Sequence, residues 1–285
     1  MVTLSALHVY PIKSCGGIDL SEAGIGELGL AMDRHWMLID RDGRFLSQRE
    51  HPLMATVKTA LADDALIVRA PGMPELRLPL ELAGSAANLS ATIWTDAVQA
   101  LDCGERAHEW FSSYFGADAR LVRFNPAEQR ICNRKWTGDA VATTQFSDGF
   151  PLLVVSESSL EDLNQRMRKK GAPAIPMNRF RPNVVLSGLD AYEEDYVDTL
   201  TLGEPGGEIV LRMVKPCARC PMPGIDQETG RSSAQWPNEP LDTLATYRAN
   251  ERVDGGLTFG QNAIVIQGQG NLLRVGQQAH IELDF

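Results

Sequence analysis

Much is missing from this sequence, and each absence closes off a class of protein. Among its 285 residues no stretch approaches about 18 uninterrupted apolar residues, so no membrane-spanning helix is expected. The opening Met1-Val2-Thr3-Leu4-Ser5 has neither the basic start nor the apolar core of a secretory signal, which points to the cytoplasm. Positive charge is scarce: 27 Lys and Arg against 37 Asp and Glu give a net charge of −10. That argues against nucleic acid as the main partner. Cysteines number five, an odd count for a disulfide framework, and a cytosolic chain keeps them reduced. There is no internal repeat and no low-complexity linker.

What is present is strand-rich and punctuated by glycine and proline. Leu4 to Tyr10 reads as a strand. Trp36–Asp40 and Arg44–Ser47 flank Arg41-Asp42-Gly43, and Val57–Ala62 and Ala65–Ala70 flank Asp63-Asp64, giving two hairpins. Three segments have helical patterning. Glu105–Phe115 spaces Ala107, Trp110, Phe111 and Tyr114 three and four apart; Ser158-Ser159-Leu160-Glu161 reads as a capping box opening a helix to Lys169; Leu241–Arg248 is shorter. The expected fold class is strand-rich α+β in two lobes, joined by the polar stretch Asn125–Ala140 after a strand at Ala119–Phe124.

The densest chemistry lies in Lys215-Pro216-Cys217-Ala218-Arg219-Cys220-Pro221, after the strand-like run Ile209–Val214. A thiolate is a soft metal ligand and a nucleophile, and a neighbouring arginine favours the ionised sulfur. A dithiol redox switch would need a helix after the motif, and prolines at 216, 221 and 223 oppose one. A structural zinc site needs four ligands, but there is no second cysteine pair, and His8, His35, His51, His108 and His280 stand apart in sequence. Two readings stay open: one thiolate bound to a metal carried by a cofactor, or two core cysteines.

Other polar motifs sit at strand ends. Lys13-Ser14-Cys15-Gly16-Gly17 can bind an anion without being a Walker loop. Arg34, in Asp33-Arg34-His35-Trp36, can pair with Asp33 or reach a phosphate, and Asn178-Arg179-Phe180-Arg181-Pro182-Asn183 is a dense donor cluster. Together they describe a phosphate-bearing ligand gripped from several segments, with the thiol loop free to bind a metal.

With these motifs the chain resembles the MOSC family, in the form with an N-terminal β-barrel-like region seen in YcbX-like and amidoxime-reducing proteins. The likeness runs through Tyr10–Cys15, Asp33–Trp36, Leu101–Gly104, Ser156–Asn164, Phe180–Asn183, Cys217–Gly230 and Phe259–Asn262. It implies a β-barrel MOSC domain over residues 126–285, preceded by a β-barrel-like lobe over 1–125. It also implies molybdenum cofactor, with Cys220 as metal ligand and Cys217 beside it. By the same resemblance Lys13, Ser14 and Arg34 meet the phosphate tail, and Arg181 and Asn183 contact the cofactor from the other lobe, with Ser156 and Ser158 as further contacts. Pyridoxal phosphate binding is a label attached to the family as a whole.

The implied activity is reduction of N-hydroxylated compounds, in which an N–O bond is broken with two electrons and two protons. Arg219 would orient substrate; Asp226 would carry a proton or stabilise a turn. A cofactor carrier, or a sulfur carrier acting through a persulfide on Cys217 or Cys220, is the alternative. Two departures stand out. Pro221-Met222-Pro223-Gly224 replaces the family's usual run after the ligand cysteine, and no four-cysteine iron–sulfur spacing occurs. Electrons are therefore expected from a separate ferredoxin- or cytochrome b5-like donor and its reductase, acting on a small N-hydroxylated substrate.

Overall fold

A computed structural model describes residues 1–81 and 86–284. The strands used below are β1 (Val2–Val9), β2 (Trp36–Ile39), β3 (Lys58–Leu61), β4 (Ala65–Arg69), β5 (Leu76–Pro79), β6 (Asn88–Ile93), β7 (Asp96–Asp102) and β8 (Arg120–Phe124). They continue with β9 (Leu152–Ser156), β10 (Val184–Ser187), β11 (Val197–Leu202), β12 (Ile209–Ala218), β13 (Gly256–Gln267) and β14 (Gln278–Leu283). Two longer helices are α1 (Glu105–Phe115) and α2 (Glu157–Lys169).

Seven strands close a barrel in the order β9-β10-β1-β14-β11-β12-β13, and β13 pairs back onto β9. Closure removes the sheet edges that would otherwise template aggregation. The only parallel pair among these is β9 with β10. Both are hydrophobic runs, Leu-Leu-Val-Val and Val-Val-Leu, as suits strands covered on both faces. Leu4, Leu7, Val154, Val184, Leu200 and Leu211, all fully buried, share one core cluster.

The remaining strands form a half-barrel lobe. One sheet runs β2-β8-β7-β6 and a second runs β3-β4-β5. Helix α1 packs Ala107, Trp110 and Phe111 onto this lobe and ends at Gly116 in the left-handed conformation, where glycine carries no Cβ penalty.

The sequence reading holds for most elements and fails at four places. Strand β1 belongs to the barrel rather than to the half-barrel, because besides the local Ile18–Leu20 it pairs with β10 and β14, far along the chain. The Arg41-Asp42-Gly43 turn forms, but its second arm is only an isolated bridge from Phe45 to Ile39. The cap of α2 is Ser156, whose Oγ accepts from Ser159 N; in a Ser-x-Ser-Ser run the serine leaving a strand has the extended φ and ψ that a cap requires. The third helix is α-helical only over Leu241–Leu244 and continues as turns to Arg248.

The lobes are stitched by polar side chains. Gln48 and Gln227 exchange reciprocal amide bonds at 3.0 Å, and Arg34 Nη1 donates to Asn183 Oδ1 at 3.0 Å.

Candidate functional site

Between the lobes lies a cavity of about 370 Å³ whose lining draws on both. One wall is cationic. It begins where β1 ends, with Tyr10 wedged between two guanidinium groups: Arg34 lies 4.3 Å and Arg181 4.2 Å from its ring. Gly17 permits the wedge, since a Cβ there would sit 2.6 Å from Tyr10 Cε1. Asp33 fixes the arrangement by accepting from Tyr10 N at 2.8 Å and Arg34 Nη1 at 2.6 Å. Burial pushes the Tyr10 hydroxyl up to about 12, against the pull of Arg181 and Arg34.

Arg181 is held by the protein less completely than its neighbours. It is 7% exposed and, among the described residues, has no carboxylate partner; its Nη1 reaches Gln227 Oε1 at 3.4 Å, and its buried Nη2 has no hydrogen-bond partner among them. Burial lowers its pKa to about 10, so the group stays cationic at neutral pH. A buried donor without an acceptor costs about 1–3 kcal/mol, and an anion in the cavity would offset that cost.

Ser14, Arg34 and Arg181 all line the cavity with φ of 66°, 47° and 57°. Non-glycine residues in this region are strained by about 1–3 kcal/mol each. Three such residues around one cavity mean that neighbouring packing holds these groups at fixed positions. Lys13 is buried too, donating from Nζ to Phe146 O at 2.8 Å and to Asp148 Oδ1 at 2.5 Å. Burial lowers its pKa, opposed by Asp148.

The opposite wall carries sulfur. Strand β12 carries Cys217 near its end, where its register against β13 shifts between Pro216 and Ala218. Cys217, Arg219 and Cys220 line the cavity and are half-buried. Arg219 Nη1 donates to Cys217 Sγ at 3.1 Å and Nη2 to Phe180 O at 2.8 Å, while its buried Nε is unpartnered. Met222, within a short 3-10 turn at Met222–Gly224, also lines the cavity. Arg179 pins that turn, donating to Pro223 O at 3.2 Å and Asp226 Oδ2 at 2.9 Å.

Of the residues singled out in the sequence, Lys13, Ser14, Arg34, Arg181, Asn183, Cys217, Arg219 and Cys220 converge on this cavity. Three others lie elsewhere. Ser156 and Ser158 do not line it: Ser156 caps α2 and donates to Glu194 Oε2 at 3.0 Å, and Ser158 donates to Leu189 O at 2.6 Å. Asp226 is also outside the lining, its Oδ1 accepting from Glu228 N, Thr229 N and Thr229 Oγ1 in a turn. Desolvation of that carboxyl is outweighed by these bonds, which hold its pKa below the usual carboxylate range.

Three lining residues had no signal in the sequence. Asp148 is open to the cavity and accepts from Lys13 and from Trp94 Nε1 at 3.1 Å; Trp94 is 47% exposed, and the Arg49 guanidinium stacks on it at 4.3 Å. They come from turns with no motif, and only the fold brings them together.

Among the described residues, no three or more His, Cys, Asp or Glu side chains gather to hold a metal ion. The donor set has a soft sulfur on one side and cations, one with an orphaned N–H, on the other. A metal held by dithiolene sulfurs with a phosphate tail fits both.

The chain matches the MOSC N-terminal beta barrel domain over residues 1–118 and the MOSC domain over residues 142–280. It is 38% identical over 253 residues to mitochondrial amidoxime reducing component 2 of Bos taurus, covering 86% of this chain and 72% of that one. Against the Homo sapiens protein of the same name identity is 35% with the same coverage. Against mitochondrial amidoxime-reducing component 1 of Mus musculus it is 32% over 293 residues, 98% of this chain and 82% of that one.

Proposed function

Because the chain belongs to the MOSC family, we propose that it is a molybdenum-cofactor-dependent reductase of N-hydroxylated compounds, fed by a separate electron-transfer protein. The observation that carries this reading is the pairing across one cavity of two half-buried thiols with the orphaned Arg181 guanidinium. A carrier of the cofactor would use the same grip, and the relatives' names favour the reductase.

In this reading Cys220 is the protein's ligand to the metal, with its thiolate in the half-buried wall. Cys217 accepts the Arg219 hydrogen bond and so stays a neighbour rather than a second ligand. Arg34, Arg181 and Ser14 hold the anionic tail, and Asn183 spans the lobes by accepting from Arg34 and donating from Nδ2 to His8 O at 3.2 Å. When bound, the cofactor supplies a two-electron redox centre with affinity for oxygen.

The net reaction takes a hydroxylated nitrogen, two electrons and two protons to the reduced nitrogen and one water. Arg219, between the two thiols in sequence, orients the substrate's polar end. Met222 and Trp94 bound the space left for its apolar part. Lys13 holds a proton at Nζ in a buried position where that proton is more readily released than from a free lysine.

The test is metal and pterin content of protein made in a cofactor-competent host, followed by turnover of benzamidoxime with reduced methyl viologen as donor. Molybdenum near one per chain with amidine formation is the expected result. Absence of molybdopterin would overturn the cofactor assignment, and a loaded protein without N–O cleavage would favour a carrier.

A further inference from the structure

Several aromatic side chains in this molecule carry a cation that a carboxylate neutralises. Arg248 over Tyr192 pairs with Asp195, Arg166 over Tyr247 pairs with Asp162, and Lys170 over Trp236 pairs with Glu239. Trp136 is different. Lys135 Nζ and Lys215 Nζ each lie 5.3 Å from its ring and Arg252 Cζ lies 5.8 Å away. None of these three cations forms an ion pair within 4.0 Å among the described residues. They come from three separate segments: the turn Arg134–Thr137, strand β12, and the turn Glu251–Val253. Glu251 lies in one of those segments and Asp139 and Asp254 lie just beyond two of them, none reaching ion-pair distance, and Arg212 spends its guanidinium on Thr137 O at 2.6 Å.

Three unpaired cations on one ring repel one another and have no structural role that a single cation could not fill. In a chain of net charge −10 such a cluster is a local reversal of sign. A cationic cluster around a half-buried aromatic is the composition of a protein-docking patch for an acidic partner.

The patch also backs onto the cavity. Lys215 lies two residues before Cys217 on the same strand, and its carbonyl accepts from the cavity-lining Asn262 at 3.2 Å. Trp136 packs on the cluster that contains Phe150, another lining residue. Trp136 is thus linked to the cavity lining through the Phe150 cluster and through strand β12, which carries both Lys215 and Cys217.

We infer that the Trp136 surface, with Lys135, Lys215 and Arg252, is where an acidic electron-transfer protein docks to deliver the two electrons of each turnover. This rests on the reductase reading. It assigns the partner a surface, and the partner is recognised by its negative charge around an exposed redox group. Long-range attraction between oppositely charged patches speeds encounter and falls with ionic strength.

The test uses the double variant Lys135→Glu plus Arg252→Glu in the cofactor-loaded protein, with a soluble acidic ferredoxin as the probe. With ferredoxin as donor, kcat/KM should fall at least tenfold, and the wild-type decline from about 50 to about 200 mM salt should flatten. With reduced methyl viologen, which needs no docking surface, both proteins should turn over within about twofold. Direct binding of oxidised ferredoxin, read by surface immobilisation, should weaken at least tenfold in the variant whether or not the protein turns over. Unchanged ferredoxin binding and an unchanged salt slope would overturn the docking assignment. Failure of wild type with methyl viologen would instead strike the reductase reading and leave the binding comparison to decide the surface.

Discussion

The two walls of the cavity are built on opposite plans. The cationic wall is buried and over-determined: Arg34 has carboxylate, amide and carbonyl partners, Tyr10 is clamped on both faces, and three residues hold left-handed backbone angles. The sulfur wall is half-exposed and sits where a strand loses register and passes into a short turn. Its one internal tie is Arg219 to Cys217, and Cys220 has no hydrogen-bonded partner among the described residues. The contrast separates holding from reacting. Positions that grip a charged tail gain from rigidity, while a sulfur that must bond to something else gains from being left free.

The largest break in that comparison is Cys220→Ser. Turnover should drop by roughly three orders of magnitude or more and bound molybdenum should fall with it, while the thermal midpoint moves by no more than about 2 °C, because a half-exposed side chain with no partner contributes little to folding. Full activity in the loaded variant would remove the ligand assignment.

On the other wall, Arg181→Lys keeps the charge but removes the planar fork stacked on Tyr10. Pterin retained after dialysis should fall about tenfold to a hundredfold. Unlike Cys220→Ser, this variant should also lose stability, since the stack serves both the fold and the grip. Retention equal to wild type would show that the cationic wall does not hold the tail.

A third comparison uses the cysteines themselves. Burial pushes the Cys15 and Cys103 thiols up to about 12 and the Cys132 thiol up to about 11. At pH 8 a thiol with a pKa of about 12 is ionised to roughly one part in ten thousand. In cofactor-free protein, iodoacetamide at pH 8 should label Cys217 and Cys220 at least about a hundredfold faster than the other three. Mass spectrometry that finds Cys15 modified at a similar rate would contradict this division.

The smallest expected effect concerns the turn beyond the sulfur wall. Asp226→Asn should cost about 1 kcal/mol of stability in urea titration. The Asp226 carboxyl is held below its usual range, so its contribution is complete above the unfolded value and is lost as pH falls through the folded one. The gap between wild type and variant should therefore close at acid pH and be widest at neutral pH. A gap that widens on acidification would reverse the assignment.

Much of this was legible from the chain alone, and the failures have a common cause. Helix α1 could be read because Ala107, Trp110 and Phe111 repeat at helical spacing just before Gly116. The cations of the site could be read because they lie in compact motifs at strand ends. Asp148, Trp94 and Arg49 could not, since each meets the others only through contacts tens of residues apart. The capping serine was misplaced for a more local reason: three serines within four positions are equivalent by composition, and the exit angle of β9 selects Ser156. The Trp136 cluster was equally hidden, being assembled from three segments between residues 134 and 253.

Strand β1 has one more consequence. It precedes every half-barrel strand in sequence, yet beyond a local pairing with Ile18–Leu20 its hydrogen-bonded neighbours are β10 and β14, which follow all of them. The half-barrel can form while most of the barrel is still unmade, but the barrel stays open until β14 has been synthesised. Tyr10 sits directly after that strand. The cavity between the lobes is therefore complete only once β14 docks and the barrel closes.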